Sequence, residues 1–132
     1  MVIFITGGAG FIGSSLVRNL IKNTDYQVVN IDSLTYAGNL ESLRECETSK
    51  RYFFEQIDIR SKNISGLFDT YQPDILIHLA AESHVDRSIE SPKKFIETNI
   101  EGTFNLLENT RSYLENQNYN TSRNIPPTYS KQ

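Results

Sequence analysis

The stretch ITGGAGFIG at residues 5–13 places glycines where a backbone could receive a phosphate group. Gly7, Gly10 and Gly13 have GxxGxxG spacing, between an apolar run and an amphipathic run. A turn without Cβ atoms lets the backbone approach a pyrophosphate closely, and the following helix offers free N–H groups and its positive dipole end. The spacing therefore predicts a dinucleotide-binding turn, although an ordinary strand–helix turn could carry the same glycines.

Two acidic residues close predicted strands further along the chain. Asp32 lies about 20 residues after the glycines, where a carboxylate can bond both ribose hydroxyls of an adenosine. Ser33 follows it, and no arginine or lysine stands nearby in sequence to receive a 2′-phosphate, which favours NAD over NADP. The alternative is that Asp32 is an ordinary loop acid. Asp58 ends the third predicted strand and, taken alone, could equally be a cap.

A polar segment, AAESHVDRSI at residues 80–89, follows the fourth predicted strand. Ligands bind at the carboxyl ends of parallel strands, so Arg87 could hold a phosphate and Ser83 a sugar hydroxyl. A solvated loop with internal ion pairs is the alternative. His84 alone is ambiguous, and His78 is expected to be a packed core residue. Two histidines without acids at ligand spacing predict no metal site.

Alternating strands and helices must position these residues. Strands are predicted at 2–6, 26–31, 52–57 and 74–80, and helices at 12–22, 40–45, 64–71 and 91–114. Ser91 is expected to cap the last helix, with Pro92 in its first turn. Right-handed crossovers give a parallel sheet of order 3-2-1-4, a partial Rossmann fold of the α/β class that stops before a fifth strand.

Composition limits the class of protein. The chain of 132 residues, with a formal charge of −3, fits one domain and speaks against nucleic-acid or anionic-membrane binding. The single cysteine, Cys46, is expected to be structural and favours a reducing compartment. No signal-type or membrane-spanning run is present, so a cytoplasmic protein is expected. Residues 1–115 are predicted to form the domain and residues 116–132 an unstructured tail.

Five segments together resemble the extended short-chain dehydrogenase/reductase family, in its NAD-dependent epimerase/dehydratase branch. They are ITGGAGFIGSSLVRNLI, NIDSLTYAGNLESL, FEQIDI, QPDILIHLAAESHVDRSIESP and FIETNIEGTFNLLE. The glycine motif is common to the whole superfamily. DSLTYAGN followed by AAESHVDRSI is more specific, and it resembles the nucleotide-sugar dehydratases more than the epimerases.

The resemblance implies NAD as cofactor, a dTDP-sugar as substrate and a homodimer. The implied activity is loss of water through an internal redox cycle: the C4 hydroxyl is oxidised, water leaves across C5 and C6, and the hydride returns to C6. Ser83 would also face the sugar nucleotide, with His84 and Arg87 close by. Besides the three glycines, the implied NAD contacts are Phe11, Ile12, Asp32, Ser33, Leu34, Thr35, Asp58, Ile59, Leu79, Ala80, Ala81, Glu82, Ser83 and Thr98.

The family pattern continues into parts that this chain does not match. They are a fifth strand with a Thr-Asp-Glu segment, a Tyr-x-x-x-Lys pair and a sugar-nucleotide domain. Tyr129 and Lys131 have the wrong spacing for that pair. We therefore expect no catalytic residue here, a truncated chain that is inactive alone, and association through an open sheet edge. The alternative is a free-standing NAD-binding or interaction module that works with a separate catalytic chain.

Overall fold

A computed structural model describes residues 1–123, with side chains described up to Gln117. The strands are β1 (Val2–Thr6), β2 (Gln27–Ile31), β3 (Tyr52–Glu55) and β4 (Ile75–His78). The helices are α1 (Phe11–Asn23), α2 (Ile64–Tyr71), α3 (Val85–Glu90), α4 (Pro92–Ile96) and α5 (Thr103–Arg123). A 3₁₀ turn covers Leu40–Leu43 and a π-helical segment covers Glu97–Gly102.

The four strands form one parallel sheet in the order β3-β2-β1-β4, which confirms the predicted fold class and strand order. β1 lies between β2 and β4, with Ile3 opposite Val28 on one side and Ile75 on the other. Because all strands are parallel, their carboxyl ends meet at one edge of the sheet. That edge holds the glycine turn and the segments that follow β2, β3 and β4.

Buried side chains form a core on each face of the sheet, since successive strand residues point to opposite faces. α1 covers one face, whose buried cluster is Ile3, Ile5, Ala9, Val17, Val28, Leu43 and Cys46. α2 and α5 cover the other, whose cluster is Phe4, Val29, Ile31, Ile64, Leu67, Phe68 and Leu106. Each large side chain buried here contributes roughly 1.5–3 kcal/mol, so the two layers hold the sheet edge in place.

The strands that lead into the site are shorter than predicted. β3 ends at Glu55 instead of residue 57, and β4 covers only 75–78 of the predicted 74–80. Asp58 therefore lies in the connection after β3, where its carboxylate and Arg60 pair. The polar segment after β4, for which no helix is predicted, also contains α3.

The predicted long helix is divided, and its predicted end near Leu114 is too early. α4 begins at Pro92, but the Ser91 side chain forms no capping hydrogen bond. The π-helical segment follows, and α5 then continues to Arg123, through residues 116–123 that were predicted to be unstructured. Ion pairs from Arg111 to Glu108 and Glu115, at 2.9 and 2.7 Å, support the polar turns that lead into this part of α5. Residues 124–132 lie outside the described residues.

Among residues 1–123, no helix is both long enough and apolar enough to cross a membrane.

Candidate functional site

The glycine turn brings the start of α1 against the end of β4. Gly7 has a φ of +71°, and a Cβ there would lie 2.7 Å from the backbone nitrogen of Ala80. A Cβ on Gly13 would overlap the carbonyl oxygen of Gly7. The Gly7 N–H donates to the Ile31 carbonyl at 2.9 Å, which ties the turn to β2. The turn therefore needs glycine for a left-handed backbone and for close packing, the two needs that the spacing predicts.

The Asp32 carboxylate holds two backbone segments together at the end of β2. Its Oδ2 accepts from the Ala9 N–H at 3.0 Å, and its Oδ1 accepts from the Leu34 N–H at 2.8 Å. Asp32 is only 9% exposed, so both bonds are shielded from bulk water. A carboxylate oxygen can accept more than one hydrogen bond, and Asp32 retains capacity for ligand hydroxyls.

A cavity opens between the strand ends, and most of the predicted cofactor contacts line it. They are Gly7, Asp32, Ser33, Thr35, Asp58, Ile59, Leu79, Ala80, Ala81, Glu82 and Thr98. The topology brings these residues together because each follows a parallel strand or lies on the π-helical segment beside β4.

The other predicted contacts lie elsewhere. Gly10, Phe11 and Ile12 line a second, neighbouring depression beside the first turn of α1. Gly13 is buried beneath the glycine turn, and Leu34 packs against the α1-side core. Ser83, His84 and Arg87 are exposed and do not line the cavity. Arg87 lines a separate recess.

The cavity is also lined by two cationic residues that the sequence analysis did not single out, Arg60 and Lys94. Arg60 pairs with Asp58 at 2.7 Å and with Glu97 at 3.1 Å. Hydrogen bonding to Arg60 lowers the pKa of Asp58. Lys94 lies 3.9 Å from the buried Glu82 carboxylate. The available signal for Arg60 was its place two residues after Asp58 in the connection that follows β3, whereas Lys94 comes from α4.

The wall after β4 is held by a hydrogen-bond chain through Thr6. Its Oγ1 accepts from the N–H groups of Leu79 and Ala80, both at 3.2 Å. With those lone pairs in use, the hydroxyl donates to His78 Nδ1 at 2.7 Å, and His78 Nε2–H donates to Thr103 at 2.9 Å. This network requires a neutral His78 ring. Burial lowers the pKa of His78 and so favours the neutral form.

Asparagines near the π-helical segment hold the two loops of the cavity. Asn99 accepts from the Glu82 N–H and donates to the Glu82 carbonyl, both at 2.8 Å. Asn105 donates to the carbonyls of Ile59 and Ser61 at 2.7 and 3.2 Å. A Cβ on Gly102 would lie 2.7 Å from Ile59 Cδ1, so glycine lets the helix approach this loop. The π-helical geometry thus lies where a cavity is built, as is common for such segments.

These features fit a dinucleotide. At Gly7 the backbone of the turn packs against the backbone of Ala80 with no room for a side chain, and such a close-packed glycine turn is typical of a dinucleotide site. The first N–H groups of α1 have no acceptor within the helix, as at any helix N-terminus. Asp32 lines the cavity, and its carboxylate has remaining acceptor capacity for hydroxyls.

The parallel sheet, its strand order and the glycine turn after β1 define a Rossmann-like fold. A family model described as GDP-mannose 4,6 dehydratase matches residues 4–123. The chain therefore belongs to the GDP-mannose 4,6 dehydratase family.

Curated relatives confirm the expected resemblance to nucleotide-sugar dehydratases. The dTDP-glucose 4,6-dehydratase of Salmonella typhimurium is 64% identical over 114 residues, covering 86% of this chain and 32% of the relative. That of Neisseria meningitidis is 61% identical over 112 residues, covering 84% and 32%. The chain thus spans about a third of the length of the relatives it matches.

Solved structures resemble the chain over the same part. DesIV, a dTDP-glucose 4,6-dehydratase from Streptomyces venezuelae with NAD bound, is 42% identical with a TM-score of 0.78, covering 86% of this chain and 36% of that one. UDP-glucose 4-epimerase from Thermotoga maritima is 35% identical with a TM-score of 0.75, covering 86% and 35%.

Proposed function

We propose that this chain is the NAD-binding part of a dTDP-glucose 4,6-dehydratase, the enzyme that forms a dTDP-4-keto-6-deoxy sugar and water. One observation carries the cofactor assignment. The Asp32 carboxylate bonds the glycine turn through Ala9 while it lines the cavity at the strand ends. An acid and a glycine turn linked in this way can hold ribose and pyrophosphate of one ligand together. The relatives named dTDP-glucose 4,6-dehydratase support the reaction.

Each part of the site has a proposed role. Asp32 would accept the adenosine ribose hydroxyls, and Gly7, Gly10 and Gly13 with the backbone of Phe11 and Ile12 would receive the pyrophosphate. When bound, NAD supplies reversible hydride acceptance from the sugar. The remaining proposed cofactor contacts are Ser33, Leu34, Thr35, Asp58, Ile59, Leu79, Ala80, Ala81, Glu82, Ser83 and Thr98, and the proposed sugar-nucleotide contacts are Ser83, His84 and Arg87.

The proposal keeps NAD rather than NADP, although two cations line the cavity. Arg60 is paired with Asp58 and Glu97, so its charge is balanced by two carboxylates. Lys94 lies beside the Glu82 carboxylate. Asp32, by contrast, has no ion pair among the described residues and would repel a 2′-phosphate.

A cytoplasmic homodimer completes the proposal. The buried, unpaired Cys46 is compatible with a reducing compartment. Exposed apolar side chains on α4, the π-helical segment and α5 offer a surface for a second copy of the chain; they are Ile96, Ile100, Phe104, Leu107 and Leu114.

Calorimetric titration of the chain with NAD and with NADP tests the cofactor assignment. We expect NAD to bind more tightly than NADP. Asp32→Ala should narrow the difference between their binding free energies by on the order of 1.5–3 kcal/mol, the range for hydrogen bonds to charged groups. Asp25→Ala, at an exposed acid outside the cavity, should leave the difference unchanged. Equal or reversed preference in the unmodified chain would contradict the role of Asp32.

The same preparation tests the division of roles. With dTDP-glucose and NAD, we expect no 4-keto-6-deoxy product from the chain alone, because the proposal assigns its residues to binding. Measurable turnover would contradict that assignment.

A further inference from the structure

The side chains of Tyr36 and Arg87 meet outside the cavity, across a long separation in sequence. The guanidinium carbon of Arg87 lies 3.6 Å from the centre of the Tyr36 ring. The His84 ring contacts the Tyr36 ring edge to face, with centroids 6.1 Å apart. We propose that this stack of Tyr36 on Arg87, which we term the clasp, joins the two walls of the cavity and retains the bound dinucleotide.

The clasp connects the segments that form opposite walls. Tyr36 lies in the segment after β2 that supplies Ser33, Thr35 and Gly38 to the cavity. Arg87 lies in α3, directly after the wall formed by 79–82. Apart from the Tyr36 ring, the Arg87 guanidinium has no ion pair or side-chain hydrogen bond among the described residues. Its position therefore depends on the ring.

The Tyr36 hydroxyl lies in the field of the buried Glu82 carboxylate. Burial raises the pKa of the Tyr36 hydroxyl, and the charge of the neighbouring Glu82 carboxylate raises it further. A tyrosine hydroxyl is neutral at neutral pH in any case, so the raised pKa does not alter the charge of the ring that faces Arg87. Asn99 in turn holds the backbone of Glu82 at both its N–H and its carbonyl. The Tyr36 ring therefore lies beside the part of the cavity wall that Asn99 holds, and its contact with Arg87 joins that wall to the segment after β2.

The clasp has little to do with the core. α3 contains no buried residue, and Val85 and Ile89 are 71% and 77% exposed. Tyr36 itself is 44% exposed. Breaking the stack should therefore loosen the two walls while leaving the free energy of unfolding almost unchanged. This makes Tyr36 a positioning residue for the NAD contacts, and in that respect the inference rests on the proposed function.

Three variants separate the stack from the hydroxyl. Tyr36→Leu and Arg87→Met each remove the cation–π contact, and Tyr36→Phe keeps it. We expect the first two to weaken NADH binding, measured by nucleotide fluorescence, by about threefold to tenfold, and Tyr36→Phe to stay within about twofold. Because both groups act through one contact, the double variant should bind NADH no more weakly than the single variant with the lower affinity. If the double variant instead shows the product of the two single losses in NADH affinity, the two side chains act independently and the clasp is wrong.

A second measurement needs no ligand. Hydrogen exchange reports the N–H groups of Leu34, Gly38 and Asn39, which are bonded to Asp32, Thr35 and Ala9 respectively. Arg87→Met should speed their exchange as Tyr36→Leu does, although Arg87 is remote in sequence, and urea unfolding should be unchanged. If these amides do not respond to Arg87→Met, the clasp is wrong. If they respond while the unmodified chain binds no NADH, the clasp joins the two walls as proposed, but its role in retaining a dinucleotide fails together with the proposed function.

Discussion

At the scale of single residues, Asp32 links the fold to the site. Its two carboxylate oxygens accept from Ala9 in the glycine turn and from Leu34 in the following loop. Removing the carboxylate therefore frees two backbone N–H groups in addition to any ligand contact, and binding of both NAD and NADP should weaken. The difference between the two cofactors cancels this shared structural loss, which makes it the informative quantity.

His78 should make the stability of the protein depend on pH. Burial lowers its pKa from the ordinary value of 6.5, so the folded protein takes up the proton at a lower pH than the unfolded chain does. Between those two values the unfolded state binds more protons, and stability falls as the pH drops from about 7 through this window. Urea unfolding measured across pH 5–8 should show the decline.

Two variants isolate the contribution of His78. His78→Asn can still offer an acceptor toward Thr6 and cannot titrate, so it should have a flatter stability profile below pH 6.5. His84→Asn changes the other histidine, which is exposed, and should keep the profile of the unmodified protein. An identical slope in His78→Asn and the unmodified protein would show that carboxylates alone cause the decline.

At the scale of elements, the helical stretch from Pro92 onward does more than cover the sheet. Asn99 on the π-helical segment holds the loop after β4, and Asn105 on α5 holds the loop after β3. Asparagine is a weak helix former. Here the side-chain amides of both residues form hydrogen bonds with backbone groups of the two loops, which have no strand partner for those groups. The same stretch thus fixes two walls of the cavity.

Asn99→Ala should open the wall at Glu82. The change leaves the Glu82 N–H and carbonyl without their 2.8 Å partners, and an unsatisfied buried group costs about 1–3 kcal/mol. We expect a loss of that order in the free energy of unfolding, faster exchange of the Glu82 N–H and weaker NADH binding. Asn116→Ala, at an exposed position of α5, should change none of these. Unchanged Glu82 exchange in Asn99→Ala would refute the role of Asn99.

Element order could be predicted from the sequence because it depends on strong signals. Runs such as VIFIT are buried, and right-handed crossovers leave few strand orders, so 3-2-1-4 followed. The division of the last helix could not be predicted, because the π-helical segment lies against the loop after β3, where Gly102 packs on Ile59, and this long-range contact leaves no local sequence signal. The end of α5 was misplaced because a polar run without apolar periodicity indicates a loop, whereas ion pairs around Arg111 support a helix.

The site was predictable where it follows from backbone position. Gly7 and Asp32 sit at strand ends, so their meeting is a consequence of the parallel sheet. The sequence did not indicate Arg60, Lys94 or the clasp, because each depends on the conformation of a long side chain. The position of the backbone does not fix that conformation. An arginine at this position can also extend into solvent, and here the ion pairs with Asp58 and Glu97 hold Arg60 at the cavity.

At the scale of the whole molecule, two of the exposed apolar surfaces are candidates for contact with a second copy of the chain. β4 pairs only with β1, so its outer edge is open, and Ile75 is 41% exposed there. The second surface is the helix face that contains Ile100, Phe104 and Leu107, each more than 60% exposed. An open strand edge favours indefinite pairing, whereas a helix face can be buried symmetrically by a second copy.

We therefore predict that the chain associates in solution and that the helix face carries the association. Light scattering should show an average mass that rises with concentration toward a dimer. Phe104→Lys with Leu107→Lys places two charges on that face at exposed positions, so it should restore the monomer without loss of stability. Asn116→Lys adds charge elsewhere on α5 and should not. If Ile75→Lys, at the edge of β4, restores the monomer and the helix-face variant does not, the sheet edge is the contact and the proposed dimer surface is wrong. A protein that remains monomeric at every concentration would rule out both surfaces.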